Sequence, residues 1–162
     1  MSDVRRAVVG LISDTHGQFR PAVADIFSGV DFIVHAGDVG GRVLEALRAI
    51  APVFAVSGNV DDRHDPMLPP SRALSAGDLT IHVSHGDELG SPRPDALFAR
   101  YDADIIVYGH THRALLVRGG DGRICVNPGA AGPRRFNLVP SVAILTVDGR
   151  DADVRFVEMG QV

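Results

Sequence analysis

The sequence predicts an α/β fold in which two mixed β-sheets stack face to face, with helices on the outside. Three observations support this prediction. Apolar strand-like runs alternate with helical periods up to residue 56, which is typical of parallel strands joined by right-handed crossovers. The pattern changes to hairpins after residue 70. Finally, 162 residues without an internal repeat, low-complexity tract or linker fit a single domain, residues 1–162.

The first half of the chain predicts three strands and two helices. The strands are apolar enough to be buried on both faces. Pro21 begins the first helix, where proline is tolerated, and Gly40-Gly41 open the second. In order, these elements are strand 4–12, helix 21–27, strand 31–35, helix 41–50 and strand 52–56. A polar, proline-rich loop over residues 60–70 should lie over the carboxyl edge of the sheet, where binding loops belong.

The second half of the chain predicts mainly antiparallel structure. Ala76-Gly77-Asp78 is a turn signal between two strand-like runs. Pro94 begins a short helix, which a buried strand follows. Two further hairpins have glycine-containing or polar turns. The predicted elements are the hairpin 72–75 with 79–84, helix 94–100, strand 103–108, and the hairpins 114–117 with 123–126 and 141–147 with 154–157.

The composition excludes several classes of function. The net charge of -4 argues against bulk nucleic-acid binding, because neutralising a phosphate backbone requires a basic face. All 16 basic residues are arginine, which excludes a Schiff-base lysine or a P-loop lysine. The single cysteine, Cys125, lies in an apolar context, so we interpret it as a buried residue of a protein in the reducing cytoplasm. No apolar run is long enough to span a membrane.

Residues with metal-binding side chains follow five of the apolar runs. Each run ends in small residues and then in Asp, Asn or His, and ligands bind at this carboxyl edge in open α/β sheets. Asp38 is the only such residue of its run, so we expect it to be a carboxylate shared between two metals. If the five ends converge, they bring together seven nitrogen and oxygen donors: Asp14, His16, Asp38, Asn59, His85, His110 and His112.

This donor set predicts a two-metal hydrolytic site. Asp14 and His16 are two residues apart, as are His110 and His112, so both members of each pair can reach one ion. Imidazole, carboxylate and amide donors without thiolate suit Mn²⁺, Fe, Ni or Zn. Two such ions about 3.5–4 Å apart would clamp a phosphoryl group and activate a water for in-line attack.

Each of these residues also has an ordinary structural interpretation. A lone Asp or His at a strand end is commonly a cap or a surface residue, and Asp14 or Asn59 alone would fit a turn. Their joint occurrence at five strand ends favours the metal site. We interpret His35 and His82 as structural histidines with satisfied hydrogen bonds, and His64 as a solvent-exposed loop residue.

A series of motifs over most of the chain resembles the calcineurin-like metallophosphoesterases. The series is Asp14-Thr15-His16, Gly37-Asp38, Gly58-Asn59, His85-Gly86 and Gly109-His110-Thr111-His112. The short length, the run 58–61 and the late Asn127-Pro128-Gly129 resemble the small YfcE-type phosphodiesterases of this superfamily. The resemblance implies a four-layer α/β/β/α sandwich and a binuclear site. It assigns Asp14, His16 and His112 to one metal, Asn59, His85 and His110 to the other, and Asp38 as the bridge.

Two positions depart from the pattern that the resemblance implies. Val60 stands where many family phosphatases carry a histidine that protonates the leaving group, and the loss of such an acid lowers the rate by roughly 10²–10⁴-fold. Good leaving groups should therefore be favoured, unless Asp61 or His64 donates a proton. Ala130 replaces a serine common in the family, so we interpret the turn at Asn127 as structural.

The expected substrate contacts are Asn59 and Arg113, which directly follows the histidine pair. Arg63, in the loop 60–70, is a second arginine that could form a fork onto phosphate oxygens. A solvated surface role is the alternative for both arginines.

The expected function is that of a binuclear metal-dependent phosphodiesterase, with Mn²⁺ as first choice and Fe, Ni and Zn as alternatives. The expected partner is a small phosphorylated substrate, without membrane or bulk nucleic acid, and the resemblance suggests a homo-oligomer. The alternatives are a phosphomonoesterase acting on a nucleotide or sugar phosphate, a nuclease, and a non-catalytic scaffold like the retromer subunit that resembles these enzymes. Seven intact donors favour an enzyme over the scaffold.

Overall fold

Two five-stranded sheets form the centre of the computed structural model, which describes residues 5–135 and 137–160. Three short helices lie outside the sheets: α1 (Ala22–Ile26), α2 (Val43–Arg48) and α3 (Pro94–Arg100). The strands are β1 (Arg6–Ile12), β2 (Phe32–His35), β3 (Val53–Ala55), β4 (Ser71–Ala76), β5 (Leu79–Ser84), β6 (Ile105–Val107), β7 (Leu115–Arg118), β8 (Ile124–Asn127), β9 (Ser141–Asp148) and β10 (Asp151–Glu158).

The parallel strands of each sheet end at the same level. The first sheet has the order β10-β9-β1-β2-β3, with β1, β2 and β3 parallel to one another. Its register places Ile12 beside His35 and His35 beside Ala55. The second sheet has the order β4-β5-β6-β8-β7, with β5, β6 and β8 parallel. The turns that follow these parallel strands therefore leave from one edge of each sheet.

Three buried apolar clusters separate four layers. The largest lies between the sheets, where side chains of β1 and β2 such as Val9 and Val34 join those of β5 and β6 such as Ile81 and Val107. A second cluster packs α1 and α2 on the outer face of the first sheet. The third packs α3 on the outer face of the second sheet, mainly through Leu97. The predicted α/β/β/α sandwich with two mixed sheets is confirmed.

The elements match the sequence prediction in type. Those from β1 to β3 and β6 are shorter by one to four residues, whereas β4, β9 and β10 are longer. The largest difference concerns β8, whose hairpin with β7 was expected to be purely antiparallel. β7 lies at the edge of the sheet, and β8 lies between β7 and β6, so β8 also pairs in parallel with β6. The turn of a hairpin is visible in the local sequence, whereas the strand that pairs with the other side of the hairpin is not. The sequence also missed a short 3₁₀ helix, Asp87–Leu89.

Several single-residue expectations can be compared with the fold. Cys125 is buried, and burial raises the pKa of its thiol to about 12, which fits an unreactive core residue. His64 is exposed, as expected. None of the helices in the described ranges has the length and apolar character that crossing a bilayer would require. Val4, the predicted start of the first strand, lies outside the described residues.

Candidate metal centre

The seven predicted donors lie on the turns that leave the shared edge of the two sheets. Asp14 and His16 follow β1, Asp38 follows β2 and Asn59 follows β3. In the second sheet His85 follows β5, while His110 and His112 follow β6. The turns are joined to one another: the amide N–H of Asp14 donates to the Gly37 carbonyl at 3.0 Å, and that of His16 to the Asp38 carbonyl at 2.9 Å. Face-to-face stacking of the sheets thus places donors from both sheets around one centre.

Two carboxylates occupy the middle of this centre. Asp14 Oδ1 lies 3.3 Å from His112 Nε2, 3.7 Å from His85 Nε2 and 3.9 Å from His16 Nε2. Asp38 Oδ2 lies 3.1 Å from His85 Nε2 and 3.7 Å from His16 Nε2. Asp14, His16 and His112 thus form one compact group of donor atoms, and Asp14, Asp38 and His85 form another. His110 and Asn59 sit together at the rim, with Nδ1 and Oδ1 3.2 Å apart.

Three of the central atoms are buried and have no hydrogen-bond partner among the described residues. They are Asp14 Oδ1, His16 Nε2 and His85 Nε2. Leaving a buried polar atom without a partner normally destabilises a protein by about 1–3 kcal/mol. Such atoms are rare in folded proteins, and here three of them face one another. Carboxylate and imidazole donors arranged in this way fit a divalent transition-metal ion.

The backbone at the centre is held in a conformation that non-glycine residues seldom adopt. Five non-glycine residues in the described part of the chain have a positive φ, between 47° and 74°. All five are predicted donors: Asp14, His16, Asp38, His110 and His112. Each such residue raises the free energy of the folded state by about 1–3 kcal/mol, and strain of this kind is concentrated at functional sites.

Two glycines give the carboxylates the space that they occupy. A Cβ at Gly58 would lie 2.1 Å from Asp38 Oδ1, and a Cβ at Gly109 would lie 2.6 Å from Asp14 Oδ2. Real Cβ contacts are never so short. Glycine is therefore required at both positions by close approach to a carboxylate.

Residues around the donors fix their orientation, and sequence reasoning missed most of them. Ser13 Oγ donates to Asp14 Oδ2 at 2.6 Å, and the His110 N–H donates to the same oxygen at 3.1 Å. Asp38 Oδ1 accepts the Val60 N–H at 3.0 Å. His85 Nδ1 donates to the Ala36 carbonyl at 2.8 Å, which leaves Nε2 as the atom aimed at the carboxylates. Ser13 is an ordinary small residue in the sequence, so no signal there could have identified it.

The charges of the centre shift the pKa values of two donors in opposite directions. Burial tends to raise the pKa of Asp38, but the nearby His85 imidazole and the Val60 N–H lower it to about 2. Burial tends to lower the pKa of His85, but the Asp38 and Asp14 carboxylates raise it to about 9. Without metal, these shifts favour a protonated His85 beside an ionised Asp38, with Nε2 and Oδ2 3.1 Å apart but without the geometry of a hydrogen bond. Metal binding to His85 requires the loss of its proton.

The structure gives the two candidate proton donors little opportunity to act. The Asp61 carboxylate accepts the N–H groups of Val39 at 3.1 Å and Gly58 at 2.8 Å, so it holds the turns together. His64 is exposed in the loop 60–70. Val60, which stands between the turn and this loop, is 59% exposed. Neither Asp61 nor His64 is held in an arrangement that identifies it as a leaving-group acid.

The other polar residues singled out in the sequence have structural contacts. His35 is buried, with Nε2 2.9 Å from Thr15 Oγ1 and Nδ1 accepting the Gly37 N–H at 3.1 Å. The expectation of a satisfied histidine is wrong for His82, because its Nε2 is buried without a hydrogen-bond partner. The His82 ring stacks instead on Tyr101, with centroids 3.7 Å apart.

Asn127 and the two predicted arginines differ in what they contact. Asn127 Nδ2 donates to the Gly109 carbonyl at 3.1 Å, which supports the structural interpretation of its turn. Arg63 forms an exposed ion pair with Asp87 at 3.2 Å. Arg113 lines a cleft beside His110 and His112 together with Arg135, a residue that sequence reasoning missed.

Comparisons with known proteins agree with this geometry. A family model described as "Calcineurin-like phosphoesterase superfamily domain" matches residues 8–150. A probable metallophosphoesterase of Methanothermobacter thermautotrophicus is 33% identical over 94% of this chain and 93% of that protein. Phosphodiesterase YfcE of Escherichia coli is 31% identical over 67% of this chain and 71% of that protein.

The comparison of folds gives a consistent result. The solved structure of Vacuolar Protein Sorting 29 from Cryptosporidium parvum covers 96% of this chain and 99% of its own, with a TM-score of 0.79 and 22% identity. Similarity at this level of identity concerns the fold alone.

Proposed function

This chain belongs to the calcineurin-like phosphoesterase superfamily, and we propose that within it the protein is a binuclear metal-dependent phosphodiesterase. The observation that carries the proposal is the convergence of three buried, unpartnered donor atoms, on Asp14, His16 and His85, around the Asp14 and Asp38 carboxylates. Nothing in the packing of a sandwich requires this arrangement, whereas a pair of divalent cations would satisfy every one of these atoms.

The proposed ligand sets are those that the resemblance implies, and the positions of the side chains support one of them directly. Asp14, His16 and His112 would hold one ion, in agreement with one compact group of donor atoms. Asn59, His85 and His110 would hold the other, and Asp38 would be shared between them. Support for a shared Asp38 comes from its Oδ2, which lies within 4 Å of both His16 Nε2 and His85 Nε2. When bound, such ions supply Lewis-acid stabilisation of phosphoryl oxygens and lower the pKa of water.

The proposed cofactor is a pair of divalent transition-metal ions, with Mn²⁺ as first choice. Fe, Ni and Zn are the alternatives, because they accept the same imidazole and carboxylate donors. The absence of thiolate from the set argues against a purely soft-metal site.

The side chains of this protein would orient the centre and leave proton transfer to the leaving group largely unassisted. Hydrolysis breaks the bond between phosphorus and the leaving oxygen, adds the oxygen of water to phosphorus, and yields a phosphomonoester and an alcohol. The leaving oxygen needs a proton or must be a stable anion. Val60 offers no proton, and the Asp61 carboxylate is already engaged by backbone N–H groups. We therefore expect fast turnover for diesters with good leaving groups, such as aryl esters.

Two other functions compete with this proposal. A phosphomonoesterase acting on a nucleotide or sugar phosphate would use the same donors, but the resemblance to Phosphodiesterase YfcE favours a diester. A protein-binding scaffold would share the fold with Vacuolar Protein Sorting 29. The complete donor set and the strained backbone beneath it favour the enzyme, because a scaffold needs neither.

The test is hydrolysis by protein stripped of metal and then supplied separately with Mn²⁺, Ni²⁺, Zn²⁺ or Mg²⁺. The substrates are bis(4-nitrophenyl) phosphate and 4-nitrophenyl phosphate. We expect a transition metal to restore diester turnover, and Asp38→Ala to abolish it. Asp102→Ala, which removes an exposed carboxylate in another part of the chain, is the matched control and should keep turnover.

The two competing functions give different results in the same experiment. A monoester turned over faster than the diester would indicate the phosphomonoesterase. No turnover with any metal, in wild-type protein that still binds two ions, would contradict the hydrolase and favour the scaffold.

A further inference from the structure

A cleft with two arginines lies beside the proposed metal centre. Its volume is about 200 Å³, and its walls include His110, His112, Arg113 and Arg135. None of Asp14, Asp38 and His85 lines it. The cleft therefore extends outward from the proposed centre, starting at two of its histidines.

The two arginines have no acidic partner, in contrast to several other exposed arginines of the described chain. Arg5, Arg63 and Arg150 form ion pairs with carboxylates at 2.7, 3.2 and 3.4 Å. Neither the Arg113 nor the Arg135 guanidinium forms an ion pair or donates a hydrogen bond within residues 5–135 and 137–160. In a chain with a net charge of -4, two unneutralised cations on one cleft create a local site for an anion.

Arg135 projects from a segment that is fastened to the metal centre. The Gly132 N–H donates to the Asp14 carbonyl at 3.2 Å, and Arg20 Nη2 donates to the Gly132 carbonyl at 2.9 Å. A Cβ at Gly132 would lie 2.2 Å from the Thr15 carbonyl oxygen, so this contact requires glycine. A backbone bridge between Arg135 and Leu138 closes the segment. Anchoring of this kind lowers the entropy that is lost when a ligand binds.

Arg135 lies close to the proposed donors without being one of them, because it lines the same cleft as His110 and His112. A guanidinium in this position can bind an anion that is attached to a substrate at the centre. Guanidinium groups match phosphate oxygens through paired N–H donors.

We infer that Arg113 and Arg135 bind a second phosphate group on the substrate, beyond the phosphodiester that is hydrolysed. The substrate class is then a phosphodiester with a substituent that ends in a phosphomonoester. This inference rests on the proposed phosphodiesterase function and adds the group that selects the substrate. Uniform binding of this remote phosphate, equal in the ground state and the transition state, would lower KM and leave kcat unchanged.

The test compares two substrates that differ only in the remote phosphate. They are the 4-nitrophenyl ester of thymidine 5′-phosphate and the same ester with a 3′-phosphate, both of which release 4-nitrophenol. Wild-type protein with its activating metal should have a kcat/KM that is higher for the 3′-phosphorylated ester by about tenfold or more, as expected for a charge-assisted hydrogen bond. Arg135→Gln and Arg113→Gln should each reduce this ratio.

Arg134→Gln is the matched control, because Arg134 is the exposed neighbour of Arg135 and does not line the cleft. It should keep the wild-type ratio. Equal kcat/KM values for the two esters in wild-type protein would overturn the inference. An equal loss in Arg134→Gln and Arg135→Gln would also overturn it, since general surface charge would then explain the preference.

A binding measurement separates failure of this inference from failure of the proposed function. Calorimetry with metal-free protein would compare thymidine 3′,5′-bisphosphate with thymidine 5′-monophosphate. Tighter binding of the bisphosphate that is lost in Arg135→Gln supports the phosphate subsite even if neither ester is hydrolysed. Equal affinity for both ligands, in a protein that does hydrolyse diesters, contradicts the subsite and leaves the proposed function intact.

Discussion

The Asp38 carboxylate is confined by backbone atoms on one side and histidines on the other. Gly58 lies against Oδ1, where the Val60 N–H also donates, while Oδ2 faces His85 and His16. The carboxylate can keep this position only while residue 58 has no side chain. The proposed bridging role of Asp38 therefore depends on a residue that does not itself bind anything.

Gly58→Ala should weaken metal binding. The new methyl group would displace Asp38, whose Oδ1 and backbone nitrogen would lie 2.1 and 2.4 Å from it. Changes to the residues that orient a metal ligand typically lower metal affinity by about 10–100-fold. Calorimetric titration of the metal-free variant with Mn²⁺ measures this loss of affinity. Gly120→Ala is the control, because a Cβ at Gly120 meets no atom within 4 Å. Equal Mn²⁺ affinity in both variants would show that the contact is relieved by a small shift.

His35 should make the stability of the protein depend on pH in the acidic range. Burial lowers its pKa to about 4, below the value near 6.5 in an unfolded chain. Between these values the unfolded chain holds a proton that the folded protein does not, so the free energy of unfolding falls as pH falls from 6.5 to 4. The contribution is absent above pH 6.5. One proton corresponds to a slope of about 1.4 kcal/mol per pH unit.

Urea unfolding of wild type and His35→Gln at several pH values measures this slope. The variant should have a flatter dependence between pH 6.5 and 4, whatever its overall stability. His64→Gln, which alters an exposed loop histidine, controls for the substitution itself. Parallel curves for wild type and His35→Gln would contradict the assignment.

At the level of elements, α3 illustrates how a short helix covers a sheet. Its seven residues bury Leu97 completely against Ile106 and Cys125 of the second sheet. A helix this short is unstable alone, so its stability comes from this apolar contact. Pro94 at its first turn fits because the N–H that proline lacks would have no partner in the helix.

Leu97→Ala should lower the free energy of unfolding by about 2–5 kcal/mol, because it leaves a cavity beneath α3. Leu115→Ala is the control, because it makes the same substitution in β7 at a side chain that is 40% exposed. It should change the free energy of unfolding by less than about 1 kcal/mol. Chemical denaturation measures both values. Similar losses in the two variants would indicate that α3 contributes little to the core.

At the level of the whole molecule, metal binding should couple to folding. Only the folded state brings the three unpartnered buried atoms together. A metal ion that binds all three therefore stabilises the folded state and not the unfolded state. An ion at a hundredfold excess over its Kd should add about 2.7 kcal/mol, or a Tm rise of roughly 5–10 °C for a chain of this size. Differential scanning fluorimetry with and without Mn²⁺ measures the shift. Asp38→Ala should lose most of it, and an unchanged wild-type Tm would contradict the coupling.

The sequence predicted the layers, and the meeting of the polar strand ends at one edge, because both depend on local patterns. Apolar runs and the polar residues at their ends are visible in the chain, and parallel strands bring their ends to one edge. The contacts that organise the site are not local. Ser13 orients Asp14 only after folding, and no feature of its type or spacing marks it in advance. Asp61 was singled out as a possible proton donor, but its contact with the Gly58 N–H could not be predicted from the sequence.

The two neighbouring arginines show the same limit. Arg134 and Arg135 are identical residues side by side, and only Arg135 lines the cleft in the folded chain. The parallel pairing of β6 with β8 also depends on a long-range contact that the hairpin signal does not contain.

The left-handed backbone at five donor positions creates a conflict between stability and function. Replacing His16 or His112 with glycine would relieve the strain of a positive φ. The same replacement would remove a proposed metal donor. A lineage that no longer needed the metals could therefore become more stable by losing them. If variants of this protein were selected for thermal stability alone, we would expect the strained residues of the proposed metal centre to be replaced first.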